Sequence, residues 1–445
     1  MQKAETSSHI ALESLSITGG IPLTGTIVLG GAKNSTPKLM VAALLSAEPS
    51  LIHNVPDIED VHIVTNLIEA MGGSVKRVGP KSLEISASSL HLIDQETMYS
   101  VAGTSRIPVL FAGPLLGRIQ EAVIPMLGGC NIGLRPVDFH VAALTDMGAY
   151  FVEVDKGMHA TTQGLQGTKI YLPYPSVGAT EQVLLAAVLA QGITELSNAA
   201  VEPEIIDFIA VLQKMGAIIS VDTDRVITIK GVSLLHGFEH SVIPDRIEAA
   251  SWASVALATS GEIFVRHARQ LDMTTFLNIF RQIGGDFTVQ EDGIVFRRVG
   301  DLRPVVLETD VHPGFMTDWQ QPLVVALTQA DGVSIVHETV YENRFGYIKA
   351  LQDMGAKIQL HRECLGGKPC RFGQRNHLHS ALISGATPLH SAEITIPDLR
   401  AGFSYVVAAL AAEGTSIIHN ARTLRRGYEH FVSKLQALGA QAVEQ

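Results

Sequence analysis

Val407-Ala-Ala-Leu-Ala-Ala-Glu-Gly-Thr-Ser-Ile-Ile-His-Asn420 reads as the end of an alanine- and leucine-rich helix, a turn at Gly414, a β-branched strand and a polar strand terminus. Further on, Gln436-Ala-Leu-Gly-Ala440 closes a second helix with a glycine mark at Gly439. The same order recurs along the chain. Comparable marks stand at Gly72, Gly148, Gly216, Gly284 and Gly355, giving a mean period of about 73 residues, well within what an internal repeat can span.

The segments before each mark support the period. Apolar helices are expected around Val41-Ala-Ala-Leu-Leu45, Leu185-Ala-Ala-Val-Leu189, Val255-Ala-Leu257 and Val324-Val-Ala-Leu327. Turns follow at Gly192, Gly261 and Gly332, then strands ending in His53-Asn54, Asn198, His267 and His337. We read these histidines and asparagines as strand-end caps. Second helices such as Tyr347-Ile-Lys-Ala-Leu-Gln-Asp-Met354 place apolar residues at helical spacing. Strands such as Ala217-Ile-Ile-Ser-Val221 come after the mark. Units this long do not suit a thin solenoid. The expected fold is α/β (α+β): two domains, each of three βαβαββ-like repeats around buried helices. One domain takes residues 33–243 and the other residues 1–32 plus 244–445, with the N-terminal strand completing the distant domain.

The second unit breaks the pattern. Its helix, Pro108-Val-Leu-Phe-Ala-Gly-Pro-Leu-Leu116, runs into Leu127-Gly-Gly-Cys-Asn-Ile-Gly-Leu-Arg-Pro-Val-Asp138 instead of a plain turn. A lone cysteine in a tight turn is commonly structural. Here Gly128, Gly129 and Gly133 allow close backbone approach and loop closure, and Arg135 both lowers a thiol pKa and binds anions. Cys130 is therefore read as a reactive loop thiol.

Composition narrows the function classes. The 445 residues carry a net charge of -11 with only 17% charged residues, which fits a globular protein and excludes a nucleic-acid coat. No apolar signal core opens the chain and no run reaches the length of a membrane span. The three cysteines, Cys130, Cys364 and Cys370, are too few for a disulfide framework. Cys364 and Cys370 are near enough in sequence to pair, but a reducing cytoplasm is the simpler setting. A cytoplasmic monomer is expected.

Other chemistry-bearing clusters stand at the starts of units. Gly30-Gly-Ala-Lys-Asn34 opens the first long helix and offers amides plus a lysine to an anion. Pro175-Ser-Val-Gly-Ala-Thr180 and Pro244-Asp-Arg-Ile-Glu248 open the third and fourth units. Asp318, in His312-Pro-Gly-Phe-Met-Thr-Asp318, is either a helix cap or a functional carboxylate. Pro397-Asp-Leu-Arg400 and Arg425-Arg-Gly-Tyr428 supply arginines in the sixth unit. Arginines from distant units around Asp318 point to an interdomain cleft for a multiply anionic ligand.

Together these residues resemble the UDP-N-acetylglucosamine enolpyruvyl transferases of peptidoglycan synthesis. The likeness runs from Leu15-Ser-Ile-Thr-Gly-Gly20 to Gln436-Ala-Leu-Gly-Ala440, and the Gly-Gly-Cys loop is specific to that family. The sister family, enolpyruvylshikimate-phosphate synthase, shares the fold and reaction type without this loop. The resemblance implies an inside-out barrel of the enolpyruvylshikimate-phosphate synthase kind, with phosphoenolpyruvate and UDP-N-acetylglucosamine as substrates and no metal or organic cofactor. It implies roles for Cys130 in protonating C3 of phosphoenolpyruvate and for Asp318 at the reacting sugar hydroxyl. Lys33, Arg135 and Arg426 would hold the phosphate and carboxylate of phosphoenolpyruvate, with Arg400 as a further anion-binding arginine. Asn34, Arg106, Arg135, Pro136, Val137, Asp138, Phe139, Ser176, Val177, Gly178, Val340 and Arg344 would contact the nucleotide sugar. Departures from the family pattern are Leu127, Ser105-Arg-Ile-Pro108, Pro37-Lys38, Met316, Phe139 and an insertion from Arg362 to Ser380. Transfer to another nucleotide or sugar acceptor, or nucleotide-sugar binding without turnover, are the alternative readings.

Overall fold

The computed structural model describes residues 14–102, 105–125, 137–155, 157–368, 370–373 and 375–445. Cys130, Arg135 and Pro136, with the rest of the loop from 126 to 136, lie outside the described residues.

Among the described residues, six sheets match the six units. Five have four strands and one has three. The three-stranded sheet pairs Glu121–Pro125, Gly157–Thr161 and Tyr150–Val154, all antiparallel, and belongs to the irregular second unit. Each of the others adds a parallel strand, as where Lys169–Tyr171 lies beside Ile193–Ser197 and Val306–Glu308 beside Gly332–His337. The helix between such parallel strands makes the crossover, a connection a tight turn cannot supply. Strand Leu15–Thr18 sits between Thr415–His419 and Gln441–Glu444, antiparallel to both, and Thr24–Val28 joins Glu262–Arg266 in parallel. The N-terminal segment thus completes two sheets whose other strands come from the last 200 or so residues, a long-range pairing that closes otherwise open edges.

All six glycine marks adopt positive φ, from +87° at Gly72 to +111° at Gly284. That conformation ends a helix at little cost only for a residue without Cβ. The strand-end asparagines share a second device. Asn54, Asn198 and Asn420 have φ near +55° to +59°, and each side-chain amide donates to the carbonyl of the parallel neighbour: Val242 at 3.0 Å, Leu172 at 2.7 Å and Ile396 at 3.1 Å. They cap two chain segments at once.

Two hydrophobic cores form. One gathers Ala32 to Val242; the other gathers Leu15 to Leu29 with Ile247 to Ala442. Helices Arg246–Ala258, Thr317–Leu327 and Leu399–Ala411 pack on one another inside the second core, and Arg246–Ala258 is buried along its whole length. Its alanines, Trp252, Val255 and Leu257 favour such a place, and its buried Arg246 and Glu248 each meet an opposite charge, Glu204 and Lys434. The chain passes between the cores along two adjacent segments. Ala32 donates its amide to the Ile243 carbonyl at 2.8 Å, and Asp245 donates to Gly30 at 3.1 Å.

The expected first long helix is shorter than its sequence implies. It spans Thr36–Ala42 and continues as a tighter turn over Ala43–Leu45. Pro37 in its first turn lacks an N–H and fixes the helix start, so Lys33 and Asn34 lie in the turn ahead of it.

Candidate active site

The seam between the cores is where the charged residues meet. The Lys33 backbone N–H donates to Asp245 Oδ2 at 3.1 Å, while Asp245 Oδ1 caps helix Arg246–Ala258 by accepting from the amides of Ile247 and Glu248. The Lys33 ammonium lies 2.6 Å from Asp60 Oδ2. Gly427, from the opposite core, lets the lysine pass: a Cβ there would stand 3.2 Å from Lys33 Cδ. Arg426 next door places Nη2 3.6 Å from Asp60 Oδ1 and Nε 3.9 Å from Glu59. Lys33, Asp60 and Arg426 form one electrostatic group drawn from both cores.

Burial lowers the Lys33 pKa, and Asp60 only partly offsets it. Burial alone would raise the Asp60 carboxyl. The Lys33 charge, assisted by Arg426, overrides it and leaves Asp60 below its ordinary range. The carboxylate therefore stays ionised and keeps both cations in place.

Asp318 resolves the choice left by the sequence. It is not the cap of helix Thr317–Leu327, a position held by Met316 without a side-chain bond. Its carboxylate instead pairs with Arg344 at Oδ1 and with Arg400 Nε at 3.2 Å. Arg400 stands in the first turn of Leu399–Ala411, which Asp398 caps. Burial opposes its charge, but Asp318, Tyr428 and Asp245 more than compensate and raise its pKa. The Arg400 Nη1 is buried without a hydrogen-bond partner among the described residues, a donor an anion would satisfy. Tyr428 lies beneath the guanidinium with its ring centroid 5.8 Å away, and its hydroxyl lies 3.0 Å from Ser251 Oγ. Arg400 also acts on the Lys33 charge, which links this cluster to the first.

A separate group lies on the first core. Ser176 caps helix Val177–Ala187 by accepting from the Ala179 amide at 3.3 Å. Gly178 permits the His140 ring to approach, since a Cβ would stand 3.2 Å from its Cε1 and Nε2. Val137, Asp138 and Phe139 open helix Asp138–Asp146, and Arg106 precedes the short turn Ile107–Phe111. Burial, with the Arg106 charge adding to it, brings His140 down to about 4 despite bonding from Gln182. Its imidazole is thus neutral near pH 7. On the other core, the Val340 amide donates to Glu338 Oε1 at 2.7 Å, and its carbonyl accepts from Arg371. Arg371 in turn covers the Tyr174 ring at 4.3 Å.

Of the expected site residues, Lys33, Arg426, Arg400, Arg344 and Asp318 come together at the seam. Asn34 follows Lys33 and gives its backbone carbonyl to Lys38 Nζ. Arg106, Asp138 and the Ser176 to Gly178 turn surround His140. Cys130, Arg135 and Pro136 are not among the described residues. Sequence reading missed Asp60, His140 and Arg371, and took in Asp245 and Tyr428 only as members of quoted clusters, without roles of their own. Asp60 had a signal, the acidic pair Glu59-Asp60 in the first turn of a helix; the others become visible only through tertiary contact.

Comparison with known proteins adds a decisive observation. Residues 17–435 match the family model described as EPSP synthase (3-phosphoshikimate 1-carboxyvinyltransferase). The chain is 51% identical to the UDP-N-acetylglucosamine 1-carboxyvinyltransferase of Protochlamydia amoebophila (strain UWE25), over 96% of this chain and 94% of that protein. This chain belongs to the UDP-N-acetylglucosamine 1-carboxyvinyltransferase family. The protein of that name from Chlamydia muridarum (strain MoPn / Nigg) is 47% identical over 96% of this chain and 98% of its own length. Among solved structures, the enolpyruvyl transferase NikO from Streptomyces tendae superposes with a TM-score of 0.85 over 98% of this chain and 99% of its own, at 22% identity. At that identity the likeness concerns the fold: the mixed α/β architecture of enolpyruvyl transferases.

Proposed function

We propose that this member of the 1-carboxyvinyltransferase family transfers the enolpyruvyl group of phosphoenolpyruvate to the 3-hydroxyl of UDP-N-acetylglucosamine, releasing phosphate in the first committed step of peptidoglycan synthesis. The observation carrying the reading is the gathering of Lys33, Arg400 and Arg426 beside Asp318 where the two cores meet. Each cation is balanced by Asp60 or Asp318, so a trianionic substrate entering the seam would compete for charges already held in position. Such preorganised cations lower the cost of charge developing on a leaving phosphate.

The chemistry needs a proton on C3 of phosphoenolpyruvate, making C2 electrophilic, and loss of a proton from the sugar hydroxyl that attacks C2. Asp318 takes the hydroxyl proton. Arg344 and Arg400 orient its two oxygens, and when Arg400 turns to the substrate its hold on the carboxylate loosens, raising the basicity of Asp318. Cys130 supplies the C3 proton and Arg135 joins the phosphate-binding set. The tetrahedral ketal then expels phosphate while its C3 methyl returns a proton to the Cys130 thiolate, leaving the enolpyruvyl ether; the proton held by Asp318 leaves with the phosphate, so atoms balance without a redox partner. The Arg106, Asp138 and Ser176 to Gly178 group, with Asn34, Pro136, Val137, Phe139 and Val340, receives the nucleotide sugar. The two cores act as domains, residues 33–243 and residues 1–32 plus 244–445, which close over both substrates. The enzyme works as a cytoplasmic monomer without nucleic acid, and no helix among the described residues is long and apolar enough to cross a membrane.

Steady-state kinetics with both substrates tests the assignments. Arg400→Ala is expected to lower kcat/KM for phosphoenolpyruvate about 100-fold or more. Asp318→Asn is expected to lower kcat about 100- to 10,000-fold with KM little changed. Parent-like kinetics in both variants would exclude the seam as the reaction site.

A further inference from the structure

We propose that the insertion in the fifth repeat holds a structural divalent metal ion of the zinc class, bound by His337, Cys364, Cys370 and His379. Their ligand atoms all lie within 4.8 Å of one another. Cys364 Sγ is 3.5 Å from Cys370 Sγ and 3.4 Å from His379 Nε2. Tetrahedral zinc with bonds of about 2.3 Å to sulfur and about 2.0 Å to nitrogen sets ligand atoms roughly 3.3–3.8 Å apart along its edges. The cluster nearly has those dimensions already, and both cysteines are free thiols.

The histidines are turned for ligation by groups that can only accept. His379 Nδ1 lies 2.9 Å from the His377 carbonyl, so Nδ1 carries the proton and Nε2 presents its lone pair to Cys364. His337 Nδ1 bonds Glu308 Oε2 at 3.1 Å, and His337 Nε2 is buried without a hydrogen-bond partner among the described residues. An unsatisfied nitrogen on a fully buried side chain is costly. Carboxylate bonded to one imidazole nitrogen with the other facing a metal is the usual second-layer support of a zinc histidine. Glu308 is itself fixed by the amides of Gly367 at 2.8 Å and Lys368 at 3.0 Å. Gly366 permits this packing, because a Cβ would lie 2.4 Å from both Glu308 Oε2 and His337 Nδ1.

The other repeats sharpen the inference. His53 and His419 end the equivalent strands of the first and sixth units, and both spend Nε2 on a glutamate of the neighbouring strand: Glu239 at 2.9 Å and Glu393 at 2.6 Å. In the fifth unit the pairing glutamate takes Nδ1 instead, leaving Nε2 for the thiol side. Here the two antiparallel strands, Lys357–His361 and Ser380–Gly385, are joined by a long segment, where the first four units use a short turn. Such a segment has little apolar core of its own beyond Phe372, and small units of this kind need a staple.

Four protein ligands leave no open coordination position, so the ion is structural and takes no part in the transfer. Its consequence lies one residue beyond Cys370. Arg371 spans the seam to Tyr174 and bonds Val340, so the metal braces the contact between cores beside Ser176. The effect on nucleotide-sugar binding rests on the function proposed above, whereas the metal itself does not.

The test is metal analysis of untagged protein purified without chelator under reducing conditions, alongside a cobalt-substituted sample. Expected are about one zinc ion per chain, a thiolate-to-cobalt charge-transfer band, and loss of both in Cys364→Ser/Cys370→Ser with retained far-UV circular dichroism. Chelation of the parent protein should lower its Tm and raise KM for the nucleotide sugar. If the double variant does not fold, cobalt titration of the chelated parent decides: a tetrahedral dithiolate spectrum supports the site. Parent protein that neither contains nor takes up metal, or that carries a Cys364–Cys370 disulfide unaffected by zinc, would overturn the proposal. A metal proposal overturned in this way leaves phosphate release intact, so the two readings fail separately.

Discussion

At the residue scale, the charge pattern of the seam was partly written in the sequence. Lys33, Arg400 and Arg426 drew notice as cations at unit starts, and each lies in the seam. Asp318, the partner of Arg400, drew notice too, but Asp60 did not, because a carboxylate 27 residues from Lys33 becomes its partner only when the fold brings Asp60 over it. The thiol gives a direct prediction. An electrophilic epoxide mimic of phosphoenolpyruvate such as fosfomycin is expected to alkylate Cys130, faster with nucleotide sugar present. Mass spectrometry finding the adduct on Cys364 or Cys370 instead would remove Cys130 from the site. Cys130→Asp is expected to escape the adduct while keeping turnover, since a carboxylic acid also donates a proton. Cys130→Ser, a far weaker acid, is expected to lose most activity. Equal turnover in Cys130→Ser and the parent would make another residue the proton donor.

At the element scale, the repeat was legible because its punctuation is local. Gly439 needs φ of +90° and a Cβ there meets nothing within 4 Å, so Gly439→Ala isolates backbone strain from clash. A loss of about 1–2 kcal/mol in unfolding free energy is expected, and no loss would remove the conformational reason for the mark. Helix Asp138–Asp146 supplies a pH prediction. His140 is held near 4 by burial first and Arg106 second, against 6.5 in an unfolded chain. The unfolded state therefore binds more protons between those values, and stability present above pH 6.5 is lost as pH falls toward 4. His140→Gln is expected to flatten the fall of Tm over that window; a slope equal to the parent's would show that His140 does not titrate with folding. Element ends were less legible than the marks. The helix after Lys33 is short because Pro37 sets its start, and Asp318 resembled a cap because caps and functional carboxylates share the same sequence position.

At the scale of the whole molecule, sixfold repetition predicted two cores of three units, and two hydrophobic clusters form. The contacts between them were not legible, since they join residues with no sequence relation. Arg246 Nε and Nη2 bond Glu204 at 2.9 Å each, fully buried across the seam. Glu204→Ala strands that guanidinium and is expected to cost about 3–5 kcal/mol, read as a lowered Tm that a second change, Arg246→Met, partly restores. Additive losses in the double variant would show that the pair is not coupled. Closure of the two cores also predicts slower hydrogen exchange over residues 127–135 when both substrates bind, and exchange unchanged at saturation would count against a loop that closes.

The most direct measurement combines phosphate release with mass analysis of the acceptor after incubating the protein with phosphoenolpyruvate and UDP-N-acetylglucosamine, with other nucleotide sugars and shikimate 3-phosphate in parallel. Equal amounts of phosphate and enolpyruvyl UDP-N-acetylglucosamine are predicted, both abolished in Lys33→Ala. Phosphate release only with a different acceptor, or none with any acceptor, would contradict the assigned reaction.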